Sequence, residues 1–350
     1  MLLPYLHSVT ARRHLNAVDS HAAMQSILYG GATDAQLAAF LIALHMKGET
    51  AEELAGFARA LREAAIPVPF EAGPGETLLD TCGTGGDGHN TFNISTTVAF
   101  VVAGCGVPVA KHGNRALSSA SGSADVLEEL GVTIAATGEQ AARALREAGI
   151  CFLFAPAFHP AARQAQVVRR ELKMRTVFNL LGPLSNPAPA RAQMVGAPSL
   201  DAAARVADAL NELGLERGYV VHGDDGMDEV TLTGSTTVFA IQNGAVHELR
   251  VQPEDFGIAR ASMDSLRGGS PAENAHITQD ILNGEKGARR DIVLVNASMA
   301  LMAAGKAGSY REGVELGARS IDTGAAGEKL KSLAVLTNWE RQGGGDRGAP

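Results

Sequence analysis

The run Asp80-Thr-Cys-Gly-Thr-Gly-Gly-Asp-Gly, with Thr91-Phe-Asn-Ile-Ser-Thr two residues beyond it, constrains this chain more than any other stretch. Leu78, Leu79 and Asp80 read as the end of a buried strand. Gly83, Gly85, Gly86 and Gly88 then open the backbone. Glycines adopt φ > 0 and let backbone N–H groups approach a ligand. The hydroxyl-rich segment that follows reads as a capped helix start leading into Val98–Val102, and free N–H groups at such a start face an anion. Strand, glycine loop and helix start together predict a phosphate site in an α/β fold. A P-loop would need a Lys after its second Gly, and none follows. Gly83, Gly85 and Gly88 match the dinucleotide spacing in name only, because the acidic residue expected about 20 positions on is missing. Taken alone, the loop leaves a tight turn in a sheet protein open.

A second segment, Lys111-His-Gly-Asn-Arg-Ala-Leu-Ser-Ser-Ala-Ser-Gly-Ser-Ala-Asp125, decides between those readings. It gathers Lys111, Arg115, Asn114, four serines (Ser118, Ser119, Ser121, Ser123) and Asp125 between apolar runs. Lys neutralises phosphate as a point charge and Arg as a fork. Ser123 also reads as a helix start before Asp125-Val-Leu-Glu-Glu-Leu, with Gly131 as its stop.

These two motifs resemble those of anthranilate phosphoribosyltransferases, enzymes of tryptophan biosynthesis. The resemblance continues through Phe152-Leu-Phe-Ala-Pro-Ala-Phe-His-Pro, Val168-Arg-Arg-Glu-Leu, Arg175-Thr-Val-Phe-Asn-Leu-Leu-Gly-Pro-Leu-Ser-Asn-Pro and Val221-His-Gly-Asp-Asp-Gly-Met-Asp-Glu-Val, and covers about residues 5–335 in order. It implies a reaction joining anthranilate to phosphoribosyl pyrophosphate (PRPP), with release of pyrophosphate. It implies an α/β chain of the nucleoside phosphorylase/phosphoribosyltransferase type: a small N-terminal α-helical domain beside a large α/β domain with a central, mostly parallel sheet flanked by helices. The expected boundaries are 1–70 for the helical domain, completed by 173–190, and 75–172 with 191–338 for the PRPP-binding domain. Residues 339–350 are expected to be a disordered tail.

Carried over motif by motif, the resemblance implies that Gly83, Gly86, Asp87, Thr91, Asn93, Ile94, Ser95 and Thr96 hold PRPP. Lys111, His112, Gly113, Asn114, Arg115, Ala116, Leu117, Ser118, Ser119 and Ser123 would embrace its other end. Mg²⁺ is the implied cofactor, with Ser95, Asp228 and Glu229 as its ligands. Lys111, Asp228 and Glu229 are the implied catalytic groups, because a pyrophosphate leaving group needs charge neutralised more than it needs a proton. Residue chemistry alone would read Asp228 and Glu229 as a solvated acidic turn beside Asp224 and Asp225. Anthranilate carries a carboxylate, which Arg169 can grip bidentately. Arg170, about 100° round the same helix, is expected at the surface. Gly83 and Asn114 are also implied anthranilate contacts, with His112, His159 and Pro183 lining the access channel.

Departures from the family pattern are few. Lys173 and Met174 stand where a Gly and an aliphatic residue are common, and Ala162-Arg-Gln-Ala-Gln replaces a stretch that often carries Met and Pro.

The formal net charge of −8 speaks against a nucleic-acid or anionic-membrane surface. Cys82, Cys105 and Cys151 show no metal or C-x-x-C spacing, which suits a reducing cytoplasm. No stretch reads as a signal segment or a membrane span. A homodimer formed through the helical domain is implied by the resemblance. Pyrimidine-nucleoside phosphorylases share the architecture, but the Lys111–Arg115 run and the Asp228–Glu229 pair argue against them. The same pair opposes a non-catalytic nucleic-acid-binding relative. A third alternative, another aromatic amine as acceptor, stays open.

Residues 1–65 read as helices, with a capping box at Thr50/Glu53, and a second box is read further on at Thr137/Gln140. Pro67, Pro69, Gly73, Pro74 and Gly75 mark a linker. Strands are expected at 78–80, 107–110, 133–135, 150–154, 193–196, 219–222 and 238–241. Helices are expected near 96–104, 123–130, 139–148, 160–172, 200–213 and 292–304. Alternation of this kind predicts a sheet with helices on both faces.

Overall fold

The computed structural model describes residues 1–116 and 120–343, with side chains through 338. Leu117, Ser118 and Ser119, all expected at the phosphate site, lie outside the described residues, as does most of the expected tail.

Four helices open the chain: α1 (Leu3–Thr10), α2 (Ala17–Leu28), α3 (Asp34–Lys47) and α4 (Ala51–Glu63). Local chemistry sets their ends. Thr33 with Gln36, and Thr50 with Glu53, form reciprocal capping boxes. Glu53 also accepts from Leu15 N at 2.8 Å and pairs with buried Lys47 Nζ at 2.8 Å. One carboxylate thereby ties three helix ends together.

Among the described residues, seven strands form one sheet in the order β3-β2-β1-β4-β5-β6-β7. They are β1 (Leu79–Asp80), β2 (Val109–Gly113), β3 (Ile150–Phe154), β4 (Ala192–Gly196), β5 (Arg217–Gly223), β6 (Thr236–Gln242) and β7 (Ala245–Val251). The first five in space run parallel; β6 and β7 are antiparallel additions at one edge. This is the expected helical segment plus a mostly parallel α/β sheet.

Two apolar cores flank the sheet. One joins the helix Ile94–Gly104 and the helix Ala288–Ala303 to the sheet. The other joins α1–α4, Phe178, Leu181 and Leu184 to the helix Leu200–Glu212 and the opposite face of β4–β6, through Val195, Val220 and Ile241. Parallel strands covered on both faces are buried and mostly apolar, as β4 is apart from Gln193. Such a sheet binds ligands beyond the carboxyl ends of its strands. Here β1, β2 and β4 all end at one cleft.

Several expectations differ from the structure. Thr133–Ala135 is not a strand: Thr133 N donates to Thr337 Oγ1 and its hydroxyl to Asn338, so its polar groups are spent on the last helix. The stretch 160–172 is a 3-10 turn, Pro160–Ala165, followed by an α-helix, Gln166–Leu172. The last helix runs to Gly343, past the expected start of the tail at 339. Strand β7 was not expected, although Asn243 (φ 53°) and Gly244 (φ 73°) make the two-residue left-handed turn that pairs it to β6.

Candidate active site

One cavity of about 370 Å³ sits at the carboxyl ends of β1, β2 and β4. The glycine loop forms its floor. Gly85 (φ 65°) and Gly86 (φ 88°) take left-handed conformations that other residues rarely adopt. Thr84 N donates to Gly196 O at 2.9 Å, anchoring the loop on β4. Arg175 clamps it from above, with Nη1 on Gly86 O at 2.9 Å and Nη2 on Gly85 O at 3.1 Å. A Cβ on Gly86 would collide with that guanidinium.

The helix Ile94–Gly104 starts beside this loop, with Asn93 before it. Asn93 does not cap through its side chain. Its Oδ1 accepts from Ser121 Oγ at 3.2 Å and Asn274 Nδ2 at 3.0 Å, so it joins loop to loop. Thr91 bridges Arg267 and lines the cavity with Ile94, Ser95 and Thr96. Asp87 Oδ1 accepts from its neighbour His89 N, while Oδ2 faces Asp228 N at 3.4 Å.

Lys111 ends the approach along β2. Its Nζ is buried and donates to Thr81 O, Thr81 Oγ1 and Ser95 Oγ at 3.2–3.3 Å. Burial lowers its pKa, against Asp80 and Glu229, which hold the charge. The segment after it is internally bonded. Asp125 accepts from Ala116 N and Gly122 N at 2.9 Å, and Ser123 Oγ donates to Asn114 O. Arg115 departs from a phosphate role in one respect. Its guanidinium is half exposed and spent on Asp125 and Glu128, so it braces the loop while its stem lines the wall.

Asp228 and Glu229 enter from the turn after β5. A loop is needed for adjacent carboxylates to face one site, and Gly226 (φ 92°) supplies it. Gly196 permits the approach, since a Cβ there would overlap the Asp228 carbonyl. Asn296, unforeseen from sequence, fixes the turn. It accepts from Val230 N at 2.8 Å and donates to Val230 O at 3.0 Å, pairing with that residue as a neighbouring strand would. Burial raises the Glu229 pKa to about 8, with Asp87 adding and Lys111 opposing. Burial also lifts Asp228 well above the carboxylate range, reinforced by Asp87 and Glu229. Both open toward the cavity and are enclosed by protein elsewhere.

That combination tests the site for Mg²⁺. Asp87, Asp228 and Glu229 converge, with Lys111 offsetting Glu229, and oxygen donors short of positive charge suit a hard cation. Among the described residues no three His, Cys, Asp or Glu side chains form a ready-made metal cage. Mg²⁺ is usually held by one or two carboxylates together with substrate phosphates. Ser95 Oγ, already accepting from Lys111, faces the same space.

The far end of the cavity differs in character. Arg169 stacks over Phe178 with 4.9 Å from guanidinium carbon to ring centre, and burial alone lowers its pKa. Arg170 on the same helix is exposed, as expected. His112 and His159 stack with ring centres 5.2 Å apart. His112 Nδ1 lies 2.9 Å from Gly182 O, and a carbonyl only accepts, so the proton sits on Nδ1. Its Nε2 is left as a buried lone pair without a partner. Burial pushes the His112 pKa down to about 4 and that of His159 to about 3. Neither ring nitrogen of His159 makes a well-formed hydrogen bond, although the Leu61 and Ser185 backbones lie close enough to oppose its fall. Pro183 does not reach the cavity. It is buried, its carbonyl accepts from Gln193 Nε2 at 2.8 Å, and Gly182 and Ser185 form the wall instead.

Comparison with known proteins follows the same division of the chain. Residues 3–65 match the helical bundle domain of the glycosyl transferase family, and residues 75–327 match its a/b domain. An anthranilate phosphoribosyltransferase of Solibacter usitatus is 57% identical over 95% of this chain and 98% of its own length. The chain belongs to the anthranilate phosphoribosyltransferase family. A crystal structure of the anthranilate phosphoribosyltransferase of Thermus thermophilus superposes with a TM-score of 0.89 at 42% identity, covering 95% of this chain and 99% of that one. The Saccharomyces cerevisiae enzyme in complex with PRPP and Mg superposes with a TM-score of 0.88 at 28% identity, covering 97% and 98%.

Within this family frame, the structure brings Gly83, Gly86, Asp87, Thr91, Asn93, Ile94, Ser95, Thr96, Lys111, His112, Gly113, Asn114, Arg115, Ala116, Ser123, His159, Arg169, Asp228 and Glu229 to one cavity. Arg175 and Asn296 join them without having been foreseen as site residues. Arg175 opens a quoted motif, but only its contact with a loop 90 residues earlier shows what it does. Asn296 sits in an apolar helix, where a lone buried amide is the only signal.

Proposed function

We propose that this cavity transfers the phosphoribosyl group of PRPP to the amine of anthranilate, a step of tryptophan biosynthesis. The observation that carries the reading is the two-ended cavity. One end offers a glycine loop, a helix start, Lys111 and charge-deficient carboxylates. The other offers a cation on an aromatic face and two neutral histidines.

In this reading the glycine loop and the start of the helix Ile94–Gly104 receive phosphate oxygens through backbone N–H groups. Lys111 offsets the charge that grows on pyrophosphate as its C–O bond breaks. Asp228 and Glu229 with Ser95 hold Mg²⁺, which when bound would neutralise the pyrophosphate oxygens. Arg169 grips the anthranilate carboxylate, and Phe178, His112 and His159 pack around the ring. The amine lone pair forms the new N–C bond at the anomeric carbon, and the amine then gives up one proton. The acceptor nitrogen is neutral, so positioning and electrostatics supply most of the acceleration. Residues 1–70 with 173–190 would act as one domain and the rest as the other, with the cavity between them.

The anthranilate specificity rests on Arg169 and the family membership. A homodimer through the helical segment is supported by Leu3, Val18 and Met46, exposed apolar side chains on α1, α2 and α3. A cytoplasmic location is supported by free cysteines and by the finding that no described helix is long and apolar enough to cross a membrane.

The test is anthranilate fluorescence with PRPP, with and without Mg²⁺. Metal-dependent loss of signal, only when both substrates are present, supports the reading. No loss from folded protein refutes anthranilate as acceptor, and a subsequent PRPP-binding titration shows whether the phosphate end is also misread.

A further inference from the structure

Asp80 takes no part in the reaction just described, yet it is one of the most heavily bonded side chains near the cavity. It is fully buried at the end of β1. Its Oδ1 accepts from Cys82 N at 3.0 Å and His112 N at 3.1 Å. Its Oδ2 accepts from Asn186 Nδ2 at 2.7 Å and faces Gln193 Nε2 at 3.4 Å. These four donors come from the glycine loop, β2, the segment behind the histidines, and β4. Asn186 and Gln193 extend the ties, to Ala110 O at 2.9 Å and Pro183 O at 2.8 Å. Burial pushes the Asp80 pKa up, while its donors and Lys111 pull it down. Every close neighbour is a donor, so a proton on either oxygen would oppose an N–H, and the carboxylate is the form this shell satisfies.

From this juxtaposition we infer that Asp80 is a positioning residue: one buried carboxylate sets the spacing between the glycine loop and the Lys111–His112 stretch of β2, and thereby the grip on the pyrophosphate end of the substrate. The inference rests on the PRPP reading of the cavity. Its electrostatics and its geometry pull in opposite directions, which makes it testable. As a nearby negative charge, Asp80 repels an anionic ligand, so neutralising it should tighten pyrophosphate binding. As the organiser of the loops, it should loosen binding when lost.

Asp80→Asn separates the two. The new amide keeps one acceptor for Cys82 N and His112 N but turns its NH₂ toward Asn186 and Gln193, donor against donor. Asn186 cannot flip in response without breaking its bonds to Ala110 O and Ala188 N. The experiment is a calorimetric titration of the full chain with inorganic pyrophosphate and Mg²⁺, alongside steady-state kinetics. We expect Asp80→Asn to weaken pyrophosphate binding and raise KM for PRPP about tenfold or more, with a smaller change in KM for anthranilate. Folded Asp80→Asn with unchanged or tighter pyrophosphate binding overturns the inference. If Asp80→Asn does not fold, Asn186→Ala takes its place. Weakening of several-fold is then expected, and unchanged binding overturns the inference. Should the wild-type chain bind pyrophosphate but not turn over anthranilate, the acceptor reading fails while the binding comparison still decides the role of Asp80.

Discussion

Asp80, buried behind the cavity wall, and the Asp228–Glu229 pair, which lines it, meet opposite fates. Asp80 is closed from solvent and has a donor for each lone pair it presents. Asp228 and Glu229 open to the cavity beside Asp87, with Lys111 the cation that opposes the upward push on the Glu229 pKa. A carboxylate saturated by the protein shapes the site. Carboxylates left short of positive charge are waiting for something the protein does not supply. On the proposed reading, the site separates a part that is finished on folding from a part completed by ligand.

The largest effect expected from that contrast is on turnover. Asp228→Asn with Glu229→Gln removes the groups that await a cation, so kcat/KM for PRPP should fall by about 10²–10³, the scale of losing one preorganised electrostatic contact. Steady-state assays across Mg²⁺ concentrations check this. Because burial disfavours the charged form of these carboxylates more than Lys111 favours it, the same variant should melt at or above the wild-type temperature at pH 8. A clear drop in melting temperature would break the contrast.

Next is Asn296→Leu. It strands Val230 N and O, and unpaired buried groups cost about 1–3 kcal/mol each. Thermal or urea unfolding should show that loss, and KM for Mg²⁺ should rise in what remains folded, since the turn carrying the acidic pair is no longer held. At the other end of the cavity, Arg169→Ala should raise KM for anthranilate about tenfold or more while changing KM for PRPP far less. Equal losses for both substrates would show that Arg169 supports the whole cleft and does not grip a carboxylate.

Sequence reached much of this and stopped at recognisable places. The boxes Thr50/Glu53 and Thr137/Gln140 are visible because cap chemistry acts within four residues. The glycine loop is visible because its conformation needs glycine locally. Thr133–Ala135 misleads because its apolar pattern is real, Ile134 being buried, while its hydrogen bonds go to residues some 200 positions away. The same distance hides Arg175, whose clamp reaches back to Gly85 and Gly86, and the roles of Asp80 and Asn296. Composition names a buried polar residue; only the fold names its partners.

Two smaller effects sharpen the account. His112 and His159 are held neutral, with folded pKa values of about 4 and about 3 against an ordinary value of 6.5. A depressed histidine pKa means the unfolded chain takes up protons first. Stability is therefore lost as pH falls below 6.5, by up to about 1.4 kcal/mol per pH unit for each ring. His159→Phe should flatten the fall in melting temperature between pH 6.5 and 4. Lys173 ends its helix in the left-handed region at φ 49°, where the family often has Gly. That conformation costs a residue with a side chain about 1–2 kcal/mol, partly offset by the backbone entropy glycine loses on folding. Lys173→Gly should thus stabilise the protein by less than about 1 kcal/mol, as denaturant titration would show.

The central claim, that Asp228 and Glu229 are completed by a cation, is most directly tested by the melting shift caused by Mg²⁺ with pyrophosphate, measured at pH 8 and at pH 5. Glu229 has a raised pKa, so its share of the protein's stability is present at low pH and lost as pH rises through about 8. A cation must displace its proton, so binding competes with acid. The account predicts a clear upward shift at pH 8 that shrinks at pH 5 and is absent from Asp228→Asn/Glu229→Gln. An equal shift at both pH values, or one that survives in the double variant, would contradict it.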